Sequence, residues 1–331
     1  MKQGIYTLGN DVVLNQIIAL LNSIEVNGNN LPVCIIPYDD RCDRLSQEIA
    51  QRGNPKVTIF SNQAVIDQWD QFSRSAWDTH PQTRPGQYHR FGTHRRYCGF
   101  SGDFDWFIYM DADTLLLTSP DYIFNFLQEY DFLVYDFQYK DPSHVYTLSS
   151  PKLELVFTDE QIKKNIFCSG FYATRKNLLS PDDLEKVLNC LNQGEAEILY
   201  PMAPDQTLLN YIIMRSGYSF INLALSLPKN QVTGCCVTSP HFEEKNHLLY
   251  DKDNPLTYLH YIGLQSKLFD NLCRGENLDF PYRDLFLYYR YLKNPEQHPV
   301  LKGSPKSLSS SSSFFQKINR KLTRFIKRFS S

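Results

Sequence analysis

Two aspartates, Asp111 and Asp113, stand one residue apart in an otherwise apolar run, "WFIYMDADTLLLTSP", from Trp106 to Pro120. A carboxylate left in apolar surroundings without a partner is strongly disfavoured. Residues i and i+2 of an extended segment share a face, so both carboxylates can point into one crevice. There they can share a divalent cation, which takes oxygen ligands and neutralises their charge. A cation held that way can clamp a diphosphate and stabilise it as a leaving group. The same D-x-D spacing recurs at Asp103/Asp105 and Asp251/Asp253, but in polar stretches that read as solvated loops. Only the middle pair ends an apolar strand. A capped turn is the purely structural alternative. Phosphatases with a nucleophilic Asp also use D-x-D after a strand. That signature has an N-terminal strand and a Thr or Val two residues beyond the second Asp. Here Thr114 follows Asp113 directly and three strands come before it.

The elements that must position these residues alternate. "GIYTLGN" reads as a strand ending in a turn, and "DVVLNQIIALLNSIE" as a helix with Asp11 as its N-cap. "LPVCIIPYDD" is a second strand, "RLSQEIAQRG" a helix closed by Gly53, and "KVTIF" a third strand. "WFIYM" is apolar throughout, as a central strand buried on both faces should be. "DYIFNFLQEY" reads as a helix, "DFLVYDF" and "IFCSGFYATR" as strands, "SPDDLEKVLNCLNQ" and "PDQTLLNYIIMRSG" as helices. Residues 73–104 read as polar and Gly-dotted with the basic cluster "HRFGTHRRY", and 138–165 as loop-rich. The pattern predicts an α/β fold with a mostly parallel sheet flanked by helices. In such a sheet ligands bind beyond the carboxyl ends of the strands, where Asp111 and Asp113 fall.

The chain has 331 residues and a net charge of −2, so nothing in its overall charge calls for a nucleic-acid partner. Its 21 Tyr and 22 Phe suit core packing as well as a sugar or base site. None of the eight cysteines (Cys34, Cys42, Cys98, Cys168, Cys190, Cys235, Cys236 and Cys273) forms a CxxC pair, which leaves zinc-ribbon and thioredoxin-like readings without support. Scattered thiols fit a reducing compartment. "MKQGIYTLGND" lacks the apolar core of a signal peptide, and no 18-residue apolar stretch exists. The expectation is a cytoplasmic protein.

The tail differs from the rest. "GSPKSLSSSSSFF" reads as a flexible linker over 304–313. Beyond it, Phe314, Phe315, Ile318, Leu322, Phe325, Ile326 and Phe329 recur at spacings of three and four, with Lys and Arg on the other face. This predicts a basic amphipathic helix over 314–331 that contacts an anionic membrane surface through residues 314–329, holding the protein at the inner face of the membrane. Docking on the chain's own core, on a partner, or on RNA is the competing reading. The remaining boundaries are a main domain over 1–275 and a helical extension over 276–303.

At "YMDADT", Tyr109 to Thr114, the chain resembles the GT-A fold glycosyltransferases, especially the glycogenin-like family (glycosyltransferase family 8). Other landmarks fall in the same order: "YTLGND", an Arg upstream of the D-x-D, "FCSGFYATR", "PDQTLLN" and "HYIGLQSK". The resemblance covers roughly residues 3 to 270. It implies a single GT-A, Rossmann-like nucleotide-diphospho-sugar transferase domain. It further implies transfer of a sugar from a nucleotide sugar, a UDP-sugar in particular, to a glycan, lipid or protein acceptor, with retention of anomeric configuration. Asp111, Asp113 and His260 would hold Mn²⁺ or Mg²⁺, the mixed carboxylate and imidazole set suiting Mn²⁺. Tyr6, Thr7 and Asp11 would meet the base and ribose. Arg95 or Arg96 would bind a phosphate or pair with the D-x-D. Gly170 and Gly263 would let backbone approach the donor, and Lys267 would reach a phosphate. Asp205 and Gln206 would face the donor sugar as the catalytic pair, although Asp205 is also placed to cap a helix. Two positions depart from the family pattern: Cys168 stands where Asn is usual, and Lys267 lies seven residues after His260 instead of six.

Two other functions compete. A nucleotidyltransferase would want a Gly-rich basic loop of the type G-x-G-T-R near the N-terminus, and "YTLGND" lacks both the glycines and the Arg. A non-catalytic nucleotide-sugar binder or membrane scaffold is disfavoured by the intact D-x-D.

Overall fold

The computed structural model describes residues 1–307. Its strands run β1 (Gln3–Gly9), β2 (Val33–Pro37), β3 (Val57–Ile59), β4 (Trp106–Met110), β5 (Thr114–Leu116), β6 (Phe132–Val134), β7 (Phe171–Arg175) and β8 (Phe220–Asn222). They continue with β9 (Glu243–Lys245), β10 (Leu248–Asp251), β11 (Asn254–Pro255), β12 (Tyr258–His260), β13 (Glu276–Asp279) and β14 (Lys302–Ser307). Seven strands form the central sheet in the order β3-β2-β1-β4-β7-β6-β8. All neighbours in it are parallel except β7, which runs antiparallel to both β4 and β6.

β4 sits in the middle, between β1 and β7. Its side chains alternate between the two faces: Phe107 and Tyr109 pack with Trp69, Tyr97 and Tyr172, while Ile108 and Met110 pack with Ile5, Ile17 and Leu21. Burial on both sides is why this strand is apolar at every position. From β1 the chain builds β2 and β3 on one side, then returns to place β4 on the other. That reversal opens a crevice at the carboxyl ends of β1 and β4.

Several elements differ from the sequence expectation. A helix over Gln63–Asp78 was not anticipated; Ile66, Trp69, Phe72, Ser73, Ala76 and Trp77 make its buried face and Asn62 caps it by accepting from Val65 N–H. "HRRY" falls in a 3-10 stretch, Thr93–Ser101, which is mostly buried and not a solvated basic loop. In "FCSGFYATR" only Phe171–Arg175 is strand. A short helix at Asp159–Lys164, with a Thr158/Gln161 capping box, interrupts the stretch expected to be loop.

At the C-terminal side, the helix Arg283–Tyr291 packs with the first long helix, Leu14–Asn27, and Asn22 Nδ2 donates to the Tyr289 carbonyl at 2.7 Å. Residues 276–303 are thus part of the main body, and they hold strand as well as helix. Residues 304–307 belong to β14, which pairs with β13. The rest of the expected linker and the basic amphipathic helix lie outside the described residues. No described helix is long and apolar enough to cross a membrane.

Candidate active site

The carboxyl end of β4 delivers Asp111 into the crevice, and a tight turn delivers Asp113. Thr114 closes that turn on the Asp111 carbonyl with its N–H at 3.1 Å and its hydroxyl at 2.7 Å. The two carboxylates therefore converge through a turn, not through the pleat of an extended segment. The Asp111 N–H donates to the Gly170 carbonyl at 2.9 Å, which ties the start of the turn to the residue preceding β7.

β5 then pairs antiparallel with β12 in a small two-stranded sheet, with His260 opposite Thr114. The Tyr261 N–H donates to the Asp113 carbonyl at 2.9 Å. This pairing carries the buried His260 to Asp113, with Nε2 3.3 Å from Oδ1. One ligand atom from each of Asp111, Asp113 and His260 lies within 4.8 Å of the others. Gly170 completes the cradle. A Cβ there would stand 2.5 Å from His260 Cε1 and 2.9 Å from Asp111 Oδ2. Two carboxylates and an imidazole crowded against a position that admits no side chain make a donor set that fits a divalent cation.

Arg96 organises the other side. Its guanidinium is buried and bridges two carboxylates, 3.2 Å from Asp111 Oδ1 and 2.9 Å from Asp205 Oδ2. It also donates to the Ser169 carbonyl and hydroxyl at 2.7 and 2.9 Å. Asp205 sits in the first turn of the helix Pro204–Ser216 but does not cap it; Ala203 holds the cap position and no side chain caps there. Gln206 accepts from the Ser169 N–H at 3.3 Å and donates to the His144 carbonyl at 3.2 Å.

The electrostatics follow from this crowding. Burial and the adjacent Asp113 raise the Asp111 carboxyl against the pull of Arg96. Burial alone would push the His260 imidazole down, but the Asp113 carboxylate more than reverses that and holds the ring protonated. Asp113 is lowered in turn: His260 outweighs the effect of burial. Burial pushes the Cys168 thiol up, so it stays protonated beside His260.

The crevice has a volume of about 800 Å³. Of the residues read from sequence, Arg96, Asp111, Asp113, Asp205, Gln206, His260, Gly263 and Lys267 line it. Gly263 has φ +82°, a conformation suited to glycine.

Five others do not line it, among them Gly170, which sits against Asp111 and His260 as described above. Tyr6 is buried against Phe104 and Phe107, and its hydroxyl accepts from the N–H groups of Asp103 and Phe104. Thr7 is fully buried within β1. Asp11 accepts from the N–H groups of Arg44 and Leu45, so it caps the neighbouring helix Asp43–Arg52; Asn10, not Asp11, caps its own turn. Arg95 turns away to a bidentate pair with Asp70 at 3.0 and 2.8 Å.

Asn10, Gln16, Tyr38, Arg41, Arg90 and Ser169 also line the crevice, and no motif in the sequence singles them out. Asn10 and Tyr38 each lie just beyond the carboxyl end of a strand, which was the signal available.

Comparison with solved structures places this architecture. The bifunctional glycosyltransferase WbbM, in its apo form, superimposes with a TM-score of 0.53 at 12% identity, covering 90% of this chain and 51% of its own. The galactosyltransferase LgtC, in complex with donor and acceptor sugar analogues, gives 0.50 at 13% identity, covering 81% of this chain and 94% of its own. The chain has a GT-A glycosyltransferase fold. It spans about half the length of WbbM. A family model described as "Mannosyltransferase putative" matches residues 2–166, a stretch that includes β1 to β6 and both D-x-D carboxylates. No curated protein matches the sequence. An LgtC structure bearing an active-site Gln-to-Glu substitution gives a TM-score of 0.50 at 12% identity, covering 81% of this chain and 94% of its own.

Proposed function

We propose that this chain is a metal-dependent glycosyltransferase of the glycogenin-like kind, moving a sugar from a nucleotide sugar to an acceptor hydroxyl. The observation that carries the proposal is the convergence of Asp111, Asp113 and His260 inside a crevice at the carboxyl ends of the central strands. These three would hold Mn²⁺ or Mg²⁺, which when bound neutralises the charge on a departing diphosphate. Lys267 supplies a further positive charge, on the segment that also carries His260 and Gly263. Tyr38, Asn10 and Gln16 form the wall next to β1 and β2 and would receive the nucleoside. Arg96 keeps Asp111 and Asp205 in place and offsets their repulsion. Asp205 and Gln206 would orient the donor sugar. Asp205 is committed to Arg96 and stays ionised, so we assign it positioning and not nucleophilic attack. Retention of anomeric configuration is part of the proposal, and NMR of the product anomer checks it.

UDP-sugars are the proposed donors. The family match adds mannose as a candidate sugar, which brings GDP-mannose into the test. Release of nucleoside diphosphate is measured from UDP-, GDP- and ADP-sugars, with and without Mn²⁺, for the wild type and Asp113→Ala. Mn²⁺-dependent release from one donor, lost in the variant, is expected. No release from any donor, together with no Mn²⁺-dependent donor binding, would overturn the reading in favour of a non-catalytic scaffold.

A cytoplasmic enzyme held at the inner leaflet by residues 314–329 is the location we propose, with a lipid-linked or membrane-proximal acceptor. Deleting residues 308–331 should release the protein from anionic vesicles. Unchanged binding would refute the tail's role.

A further inference from the structure

Tyr109 stands on β4 two residues before Asp111, and the two side chains meet: the Tyr109 hydroxyl donates to Asp111 Oδ1 at 2.8 Å. Core packing does not require that hydroxyl. Phe107, two residues earlier on the same face of the strand, fills the same cluster without one. The Tyr109 ring is fully buried and stacks on Tyr172, with centroids 5.0 Å apart and planes at 15°. The Arg96 guanidinium lies over the ring at 4.9 Å. A ring held on these sides gives its hydroxyl one fixed position, and among the described residues Asp111 is the partner it finds there.

That bond makes the two oxygens of Asp111 unequal. Oδ1 takes the Tyr109 O–H and also lies 3.2 Å from Arg96 Nη2. A carboxylate oxygen has about two lone-pair sites, so Oδ1 is fully engaged. The guanidinium beside it also repels a second cation. Oδ2 accepts no hydrogen bond among the described residues. It faces Gly170, where an added Cβ would stand 2.9 Å from it and 2.5 Å from His260 Cε1. The oxygen left over is thus the one on the side of the imidazole.

We propose that Tyr109 is a positioning residue of the metal site: it commits Asp111 to offering a single oxygen, Oδ2, and so sets which cation the site takes. Ca²⁺ gathers about 6–8 oxygens and accepts both oxygens of one carboxylate, whereas Mg²⁺ demands a tighter octahedron. One oxygen from Asp111 therefore favours the smaller ions, Mn²⁺ and Mg²⁺, over Ca²⁺. This rests on the metal-dependent reading above and goes on to how the chain chooses its ion.

Tyr109→Phe tests it, because it removes the hydroxyl, keeps the ring, and leaves Asp111 its pair with Arg96. Tyr172→Phe is the control: it removes a buried hydroxyl from the stacked partner, one that reaches the Arg96 carbonyl at 3.4 Å and not Asp111. Mn²⁺ binding is read from the loss of the free-ion electron paramagnetic resonance signal, and Ca²⁺ binding by competition against it, each with and without UDP or GDP. The wild type should prefer Mn²⁺. In Tyr109→Phe both oxygens of Asp111 can turn to the ion, so Mn²⁺ should bind about tenfold more weakly while Ca²⁺ holds, and the preference should shrink by that factor. Tyr172→Phe should keep the wild-type ratio. A ratio that survives Tyr109→Phe, a wild type without preference, or an equal loss for both ions overturns this inference, and so does the same shift in Tyr172→Phe. Each of these leaves metal-dependent transfer standing. No Mn²⁺ binding by the wild type under any of these conditions overturns both.

Discussion

Gly170 and His260 occupy what would be one space: a Cβ on Gly170 would lie 2.5 Å from the His260 ring. The imidazole is therefore held by a missing side chain as much as by Asp113. Gly170→Ala should push the ring and the Asp111 carboxylate aside. Because such supporting contacts typically change metal affinity by about 10–100-fold, Mn²⁺ binding measured by calorimetry should weaken by that order. The circular dichroism spectrum should stay that of the wild type, since the strain is local.

His260 carries a proton while it pairs with Asp113, and a metal ion must displace that proton to reach the nitrogen. Mn²⁺ affinity should rise with pH while the ring is protonated, by about tenfold per pH unit for one proton released. Replacing the imidazole in His260→Gln should flatten that dependence. An unchanged pH profile would separate His260 from the metal.

Adjacent arginines make a paired experiment. Arg96 is buried between Asp111 and Asp205, so Arg96→Met leaves two carboxylates without their counter-charge. Breaking a buried pair by removing one partner costs about 3–5 kcal/mol. Arg95→Ala removes the bidentate pair with Asp70 and a donation to the Tyr38 carbonyl, but Asp70 keeps His94 as a partner, so the cost should be smaller, about 1.5–3 kcal/mol. Urea unfolding of the two variants should show that order, with donor turnover lost in Arg96→Met.

Asp136 supplies a pH signature of its own. Burial raises its carboxyl from the ordinary 3.8 to about 7, against donation from the Gln138 and Cys168 N–H groups. The folded state therefore holds this proton more tightly than the unfolded chain does. Its contribution to stability is complete below the unfolded value and is lost as pH climbs toward 7. At about 1.4 kcal/mol per pKa unit, the loss is on the order of 4 kcal/mol. Denaturation midpoints measured between pH 4 and 7 should fall with pH in the wild type, and Asp136→Asn should flatten that slope.

The apolar run before Asp111 identified the central strand, because burial on both faces leaves no polar position to confuse the pattern. The strand–helix alternation then placed the crevice. Long-range pairing was not readable in the same way. Nothing in "TYLHYIG" says that His260 will lie opposite Thr114; that depends on β5 and β12 meeting across nearly half of the chain. The resemblance, not the pattern, drew His260 to the site. The choice between Arg95 and Arg96 turns on the direction of consecutive side chains in a 3-10 stretch, which spacing alone does not encode. Spacing makes Asp11 a cap for the helix that follows it, whereas its carboxylate accepts from Arg44 N–H, 33 residues later in the chain. Tyr6 looked polar enough for a ligand, but its hydroxyl is used up by two backbone N–H groups in the core.

The pairing of β5 with β12 also sets when the site comes into existence during synthesis. A nascent chain emerging from the ribosome displays Asp111 and Asp113 long before residues 258–260 are translated. Until β12 docks beside β5, the two carboxylates lack their imidazole, and the edge of β5 is open. The stretch 2–166, which carries the family likeness, cannot complete the site by itself, because Gly170, Asp205 and His260 all lie beyond it. Competence to bind a donor is therefore a checkpoint on near-complete translation: a prematurely terminated chain keeps the motif and loses the enzyme.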